Sequence, residues 1–504
     1  MPSSISKDYY IWRFLQNKNS SKKEALEAYK WTKRKNSKLQ RAIRKKVGYV
    51  PTGTKVKKRN VDPKNYIIYP ATASKKSKKS LKKLYKRILK QGKYSDVLKV
   101  MSDKKPFDVL QTLKPQAQCY IFNNCKSKYR IKNFNHSFSV ENLKKLVKEK
   151  QFEKSISLIV TTHKLHYLKK SLLNVDASNH LSFKSNFLLA MNAVEFSNIK
   201  KAEQFLAVAL KKTKTSFKID KCNFWFYLLT KDKSYLKKLL KSSSINLYTL
   251  RARDILNKNY PKVISPKLSW RLIANFDLRN PIDWEKIKIE MKKHPNNLHK
   301  LAEKYNAYYS TGIYSYIKEK AYKYKKPYYP IPYIDAMIGY KKERMALLYA
   351  IGRQESRFVP ASVSTSYALG MMQIMPFLVK HLAKERKEKL DLDRMFDPYV
   401  AISYANQHLN YLNRKLYHPL FIAYAYNGGI GFTRRTIRSK HLFKRGKYEP
   451  YLSMELVDYE ESKEYGKKVL TNYVVYMNLL GEKIKITPLL KELQYPNKTD
   501  RYRK

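Results

Sequence analysis

Apolar residues recur at steps of three and four along the first two-thirds of this chain, and this periodicity constrains the fold more than any other feature. Such spacing places the apolar side chains on one face of an α-helix and leaves the lysines on the other face. Strand-type alternation is nearly absent, so we predict an all-α protein. The pattern is clearest in LKKLYKRIL (Leu81, Leu84, Tyr85, Ile88 and Leu89), in SVENLKKLVKEK after a predicted N-cap at Ser139, in KKAEQFLAVALKK and in SYLKKLLK.

These predicted helices are short and are joined by brief polar links. A short amphipathic helix cannot bury its apolar face alone, so successive helices must pack on their neighbours. We therefore predict an N-terminal α-superhelix, a solenoid or ring of short helices, without a regular 34-residue consensus. Residues 49–76 are expected to be a loop-rich break near its start.

Glycine and proline divide the chain further. A shift in composition at residues 260–272 is followed by another helical segment, and KKPYYPIPY at 325–333 is unable to continue a helix. We predict a helical superhelix at 1–264, a helical linker domain at 265–326 and a catalytic domain at 327–504. Nine of the 13 glycines lie after residue 330, where shaped loops are expected; the others are Gly48, Gly53, Gly92 and Gly312.

The formal net charge is +67, from 106 Lys and Arg against 39 Asp and Glu. A field of this sign attracts anionic polymers such as nucleic acid, an anionic membrane or an acidic cell-wall polymer. A genome-wide compositional bias would produce the same excess, so the charge does not name a partner. No stretch has the length of a transmembrane helix.

The start of the chain, MPSSISKDYYIWRFLQNK, lacks the apolar segment of a secretory signal. This predicts either a cytosolic protein or one whose signal peptide has been removed. The three cysteines, Cys119, Cys125 and Cys222, show no metal-binding spacing, and we predict no metal and no cofactor. A local disulfide between Cys119 and Cys125 and a set of buried thiols both remain open.

One carboxylate stands out in this acid-poor chain. In ERMALLYAIGRQES the apolar stripe of a predicted helix leads directly to Glu355, and Gly352, one turn before it, lacks a side chain and is expected to leave room beside the carboxyl. Desolvation at the end of a buried stripe raises the pKa of a carboxyl, and a carboxyl protonated near neutral pH is a general acid. If the helix ended early, Glu355 would be an exposed surface residue instead.

Three ordered segments around and after Glu355 resemble the signature of soluble lytic transglycosylases of the Slt type. Together they cover the last third of the chain, and the first two-thirds agree with such enzymes in architecture only. The matching positions are Glu355, Ser356, Pro360, Ser364, Ala368, Gly370, Met372, Gln373, Met375 and Pro376, then Ala425–Gly431 (AYNGGIG), then Glu461, Ser462, Lys463 and Tyr465.

The resemblance implies a lysozyme-like α domain that cleaves the β-1,4 bond between MurNAc and GlcNAc in peptidoglycan and leaves 1,6-anhydro ends. It implies that Glu355 acts first as acid and then as base, while the N-acetyl group of the substrate stabilises the charged intermediate. It further implies a periplasmic monomer whose partners are glycan strands and wall-synthesis proteins. The other acids between Glu355 and Tyr426 are Glu385, Glu388, Asp391, Asp393 and Asp397, and none of them is predicted to be a nucleophile. Asp397 is expected to cap a helix that has Pro398 at its first position.

The resemblance also assigns residues to the site. It directs the Tyr426 hydroxyl at the catalytic carboxyl or at the N-acetyl group of the substrate; the alternative is a core tyrosine. Glu461 would be a second acid of the groove or else a surface residue. The remaining substrate-binding candidates are Ser364, Gly370, Gln373, Met375 and Asn427, and the alternative for the loop residues is loop packing.

Two positions depart from the family pattern. Tyr367 stands where the family commonly has glycine, so the loop shape and one sugar subsite are in question, and Ile430 replaces a common proline. Three other functions remain open: a hydrolytic muramidase, a non-catalytic wall scaffold, and a basic helical-repeat protein that binds polyanions or nucleic acid. No nucleic-acid-binding signature supports the last, and we expect no nucleic-acid partner.

Overall fold

The computed structural model describes residues 3–51, 67–88 and 92–503. Within these ranges the regular elements are helices, accompanied by isolated β-bridges, and the all-α prediction is confirmed. Leu89 and the part of the predicted 49–76 break between 52 and 66 lie outside the described residues. Among the helices that the structure describes, none is both long and apolar enough to span a bilayer.

The first part of the chain is a succession of short helices. They are α1 (Ile5–Phe14), α2 (Lys22–Lys30), α3 (Ser37–Val47), α4 (Pro70–Ala73), α5 (Lys78–Arg87), α6 (Gly92–Ser102), α7 (Pro106–Gln111), α8 (Pro115–Asn124), α9 (Ser127–Asn133), α10 (Val140–Leu146), α11 (Phe152–Val160), α12 (His166–Ser171), α13 (Phe183–Glu195), α14 (Ile199–Lys211), α15 (Ser216–Thr230), α16 (Lys233–Leu240) and α17 (Leu247–Ile255).

Local sequence explains where many of these helices begin. The Ser139 hydroxyl accepts a hydrogen bond from the backbone N–H of Asn142, which confirms the predicted N-cap of α10. Ser182 caps α13 in the same way, and Asn246 forms a capping box with Thr249 at α17. Consecutive helices then pack on one another from α13 to α17, as a solenoid requires.

The cysteines of this part are buried and unpaired. Cys119, Cys125 and Cys222 are all free thiols in the structure, so the disulfide alternative is not realised. Burial raises the pKa of the Cys125 thiol to about 11 and that of the Cys119 thiol to about 12. They behave as small apolar core residues.

The middle of the chain has a small core of its own. Its helices are α18 (Pro281–Lys293), α19 (Leu298–Lys304) and α20 (Thr311–Ala321), with a 3₁₀ turn at Tyr308–Ser310. Trp284, Ile287 and Leu301 are buried in this core, and Val359 and Ala361 from the last part of the chain join them. A separate core agrees with a separate linker domain, although the boundaries at 265 and 327 remain predictions.

The last part of the chain surrounds one long helix, α27. Its elements are α21 (Lys342–Glu355), α22 (Pro376–Glu385), α23 (Pro398–Asn413), α24 (Pro419–Gly428), α25 (Ile430–Ile437), α26 (Tyr451–Leu456), α27 (Glu460–Leu479), α28 (Ile486–Glu492) and α29 (Pro496–Thr499), with 3₁₀ turns at Ile334–Met337 and Leu392–Phe396. Both α21 and α24 pack against α27. Asp397 accepts hydrogen bonds from the first N–H groups of α23, which confirms its predicted role as N-cap.

A buried ionic network joins the superhelix to α27. Lys221 of α15 lies 3.0 Å from Glu455 and 2.9 Å from Glu464, while Lys467 lies 2.9 Å and 2.8 Å from the same two carboxylates. The Tyr248 hydroxyl of α17 donates to Glu455 at 2.5 Å. Each buried charge therefore has an opposite charge beside it, which is the condition for keeping ions out of water. The network sets the position of α27 against the superhelix.

Helix α1 reaches across to the last part of the chain. Arg13 forms ion pairs with Asp391 at 2.8 Å and with Asp393 at 2.6 Å, and the Tyr9 hydroxyl donates to Asp393 at 2.9 Å. The Ser6 hydroxyl donates to Glu285 of the middle part at 2.9 Å. The first helix thus contacts both later parts of the chain.

Candidate active site

Glu355 is the last residue of α21, as the sequence predicts. The stripe behind it is buried, with Leu348 2% exposed and Ile351 fully covered. The sequence suggested that Gly352 leaves space beside Glu355, but the Phe358 ring and the Met372 sulfur fill that space. A Cβ at Gly352 would lie 3.0 Å from the ring and 3.3 Å from the sulfur. The glycine therefore serves close packing beneath the carboxyl rather than an open cavity.

The Glu355 carboxyl has the ionisation expected of a general acid. Burial raises its pKa to about 7, a hydrogen bond from Tyr465 opposes the rise, and the nearby charge of Glu461 adds to it. The residue as a whole is partly exposed. Near neutral pH, comparable fractions of the molecules hold the protonated and the ionised form.

The hydroxyl bound to Glu355 belongs to Tyr465 and not to Tyr426. Tyr465, on α27, donates to Glu355 Oε1 at 2.7 Å, whereas the Tyr426 hydroxyl donates to the carbonyl of Met372 at 2.8 Å. Burial raises the pKa of both phenols well above the ordinary value, so both remain donors. The expected role of Tyr426 toward Glu355 is therefore taken by Tyr465, a residue that the third sequence motif contained but that received no role.

His408 is a second residue that the sequence analysis did not select. Its ring centroid lies 5.6 Å from that of Tyr426, on the side of α23 that faces α24. Burial lowers the pKa of His408 to about 4, so the imidazole is neutral near neutral pH. An isolated histidine within a helix carries no motif by which sequence reasoning could find it.

The loop between Glu355 and α22 forms one wall beside the carboxyl. The Ser356 hydroxyl donates to the carbonyl of Met371 at 2.8 Å, and two isolated bridges, Val363 with Leu369 and Leu369 with Ile374, fold the loop back on itself. Four non-glycine residues of this segment have left-handed backbone angles, a conformation that persists only when the surroundings enforce it; they are Arg357, Phe358, Tyr367 and Gln373.

Three predicted groove residues make contacts that hold this loop. The Ser364 hydroxyl accepts from the N–H of Ala368 at 2.9 Å, and Gln373 donates to the Gly370 carbonyl at 2.7 Å. Gly370 has a φ of +73°, and a Cβ there would lie 2.0 Å from the Met395 carbonyl oxygen, so only glycine fits. Their contact with a glycan remains a prediction.

The other three candidates lie at the edges of the site. Met375, the N-cap of α22, is partly exposed. Asn427, at the end of α24, accepts from the Ser462 hydroxyl at 2.6 Å and so links α24 to α27. Glu461 is exposed, and its charge reaches Glu355, as the shift in the Glu355 pKa shows. Roles for these residues in substrate binding also remain predictions.

Tyr367 is buried against the N-terminal helices, so it does not bring its bulk into the groove. Its ring lies 5.4 Å from that of Trp12 and 6.0 Å from that of Tyr9, both on α1. The Lys38 ammonium lies 5.7 Å from the Tyr367 ring centroid and donates to the Ser366 carbonyl at 2.6 Å. The large side chain at this position anchors the loop to a distant part of the chain.

The other acids between Glu355 and Tyr426 are engaged by other groups. Glu385 accepts from Gln407, Glu388 accepts from Tyr404, Asp391 and Asp393 pair with Arg13, and Asp397 caps α23. Within the described ranges, no group of three or more His, Cys, Asp and Glu side chains is arranged to hold a metal ion.

Fold and site together define an all-α protein with a carboxyl of raised pKa at the end of a packed helix. The family comparison makes this class specific, because residues 333–448 match the model of the transglycosylase SLT domain. They include Glu355, Tyr426 and Asn427, whereas Tyr465 and Glu461 follow the matched range.

Curated relatives match a larger share of the chain than the domain model does. The soluble lytic murein transglycosylase of Escherichia coli strain K12 is 26% identical over 184 residues, and that of Salmonella typhimurium strain LT2 is 24% identical over 182 residues. Each match covers 35% of this chain and 28% of the relative. The matched part is thus little more than a quarter of the length of these relatives.

Solved structures resemble a larger part of the chain. The 70 kDa soluble lytic transglycosylase of Escherichia coli is 14% identical, with 98% of this chain and 83% of that chain covered and a TM-score of 0.48. An inactive mutant of the lytic transglycosylase Slt from Pseudomonas aeruginosa is 15% identical, with 95% and 82% covered and a TM-score of 0.49.

Proposed function

We propose that this protein is a peptidoglycan lytic transglycosylase that cleaves the β-1,4 bond between MurNAc and GlcNAc and leaves 1,6-anhydro-MurNAc ends. The observation that carries the proposal is the Glu355 carboxyl, with a pKa raised to about 7, within a transglycosylase SLT domain. A group that titrates at neutral pH gives and takes a proton with equal ease. One residue can therefore serve both steps of the reaction.

In the first step the protonated Glu355 donates its proton to the glycosidic oxygen, the C1–O bond breaks, and the GlcNAc unit leaves as an alcohol. The N-acetyl carbonyl of the muramyl unit stabilises the positive charge that develops at C1. In the second step the Glu355 carboxylate takes the proton of the C6 hydroxyl as that oxygen forms its bond to C1. The product is the 1,6-anhydro sugar, and Glu355 is again protonated.

Tyr465 positions the acid and favours the second step. Its hydroxyl donates to Glu355 Oε1 at 2.7 Å, which orients the carboxyl and favours the ionised form that the second step requires. Tyr426 and the loop from Ser356 to Met375 line the same site, so a glycan placed against Glu355 would meet them. Hydrolytic retaining enzymes use a second carboxylate as nucleophile. The acids between Glu355 and Tyr426 are engaged by other groups, which favours attack by the C6 hydroxyl.

The rest of the chain fits this activity. We propose the three-part division at 1–264, 265–326 and 327–504, with the helical superhelix as a frame for the catalytic domain. The net charge of +67 suits a wall polymer that carries peptide carboxylates. We place the protein in the periplasm as a monomer that acts on glycan strands, with wall-synthesis proteins as further partners.

Product analysis tests the proposal. Purified peptidoglycan digested with the protein should release fragments whose mass spectra show 1,6-anhydro ends, and Glu355→Gln should abolish their release. Glu388→Gln is a matched control, because Glu388 also accepts from a tyrosine hydroxyl, that of Tyr404 at 2.9 Å. Reducing ends would assign the protein as a hydrolytic muramidase. Full activity of Glu355→Gln would refute the assignment of the acid.

A further inference from the structure

A cluster of exposed and partly exposed aromatic rings lies on the middle part of the chain. The indole of Trp270, 63% exposed, stacks on the ring of Tyr308 with centroids 4.2 Å apart and planes inclined by 20°. The Tyr309 ring meets Trp270 edge-on at 4.7 Å. We refer to these three residues as the Trp270 platform.

The backbone on both sides of Trp270 is held in place. The N–H of Tyr308 donates to the carbonyl of Ser269 at 2.9 Å, and the Arg271 guanidinium donates to the carbonyls of Asn306 at 2.6 Å and Glu303 at 2.9 Å. Exposure of a large aromatic side chain to water does not stabilise the fold, since its apolar area would be more stable if it were buried. A fixed orientation does lower the entropy lost when a ligand stacks on the ring.

Hydrogen-bonding groups border the platform. The Asp335 carboxylate accepts from the Tyr308 hydroxyl at 3.3 Å and from the Tyr399 hydroxyl at 2.5 Å. The Tyr333 hydroxyl donates to the carbonyl of Tyr309 at 2.6 Å, which ties the platform to the start of the SLT domain. Asp335 is exposed, so its remaining lone pairs are open to hydroxyl donors.

We propose that the Trp270 platform is a second carbohydrate-binding site, which takes pyranose rings of an amino-sugar glycan strand outside the catalytic site. The choice of this ligand rests on the proposed function. A pyranose has an apolar C–H face that packs on an aromatic plane and a rim of hydroxyl groups. The platform offers the aromatic plane in Trp270 and the acceptors in Asp335 and the tyrosine hydroxyls.

Size favours a glycan over a protein partner. The exposed faces of Trp270 and Tyr309 amount to on the order of 250 Å². A stable protein interface buries about 800 Å² on each partner. One or two sugar rings would cover the platform. In the described part of the chain, none of the hydrogen bonds or ring contacts of the platform named above involves Glu355 or Tyr465.

The test uses the full chain with Glu355→Gln, so that the wall is bound without being cut. Protein-free purified peptidoglycan is sedimented with this parent, with the parent plus Trp270→Ala, and with the parent plus Trp31→Ala. Trp31 is a matched control, because it is 60% exposed and directly follows α2 in the N-terminal part of the chain. We expect Trp270→Ala to weaken sedimentation roughly tenfold, Trp270→Phe to weaken it less because a smaller plane remains, and Trp31→Ala to leave it unchanged.

Three outcomes would overturn the proposal. Equal sedimentation of the parent and the Trp270→Ala protein would show that the platform does not bind the wall. Equal losses of sedimentation for Trp270→Ala and Trp31→Ala would show a general effect of surface tryptophans. A loss seen only with wall that retains its proteins would identify a protein partner instead.

A second measurement separates this site from the catalytic site. With Glu355 intact, Trp270→Ala should turn over a short soluble wall tetrasaccharide with unchanged kcat/KM, because so short a ligand does not need the platform. A fall in that value would place Trp270 in the catalytic groove and overturn the proposal. If wild-type protein left reducing ends, the proposed function would fail, while the sedimentation comparison would still decide the platform.

Discussion

Removing the Tyr465 hydroxyl tests how the site sets the ionisation of its acid. In Tyr465→Phe the ring stays on α27, but the 2.7 Å hydrogen bond to Glu355 is lost. That bond favours the ionised carboxyl, so its removal must raise the pKa of Glu355 above about 7. The protonated, acid-active form then persists to higher pH.

The size of the shift follows from the strength of such a bond. A hydrogen bond to a charged group contributes about 1.5–3 kcal/mol, and one pKa unit corresponds to about 1.4 kcal/mol. Glu355 is partly exposed, so water replaces part of the lost interaction. We therefore expect the lower end of the range, a rise of about one unit.

The assay is the pH dependence of kcat/KM on soluble peptidoglycan fragments. Activity is lost on the alkaline side as the free enzyme's acid ionises, so this limb should move from near pH 7 to about pH 8 in Tyr465→Phe. Tyr426→Phe is the control, because its hydroxyl donates to Met372 and not to Glu355. The reasoning fails if the Tyr465→Phe limb stays in place or moves to lower pH, or if Tyr426→Phe moves it as far.

Three further predictions concern stability. The raised pKa of Glu355 makes the wild-type protein lose stability as the pH rises from about 4.5 to about 7. Glu355→Gln should therefore raise stability by up to about 3 kcal/mol above pH 7 and not at all below about pH 4.5. Thermal unfolding measured below pH 4.5 and above pH 7 checks this, and a gain independent of pH would contradict it. Tyr367→Ala should lower stability by about 3 kcal/mol and open the Ser356–Met375 loop to proteolysis, because it removes the ring that contacts α1. Tyr367→Phe keeps the ring beside Tyr9 and Trp12 and should lower stability by less than about 1 kcal/mol. Equal effects of the two variants would argue against the ring as the anchor of the loop. Lys221→Met should lower stability in thermal unfolding by about 3–5 kcal/mol, because it removes one of the two cations that neutralise Glu455 and Glu464. The control is Lys218→Met, at an exposed position, which should change stability by less than about 0.5 kcal/mol.

Local patterns in the sequence were sufficient to predict the helices and to select Glu355 as the candidate acid. Periodicity predicts a helix because residues three and four apart share a face, and the caps at Ser139 and Asp397 depend on backbone groups two or three residues away. Glu355 could be selected because its stripe and its motif lie in one continuous segment. Each of these inferences needs only neighbours along the chain.

Contacts between distant segments required the tertiary structure. Tyr426 and Tyr465 both reach the site, and only the packing of α21 and α24 against α27 decides which hydroxyl meets Glu355. The loop shape and one sugar subsite were in question at Tyr367, because nothing near it in the sequence shows that α1 covers its ring. The surroundings of a side chain depend on which helix packs against it, and this packing is determined only when all the helices assemble into one core.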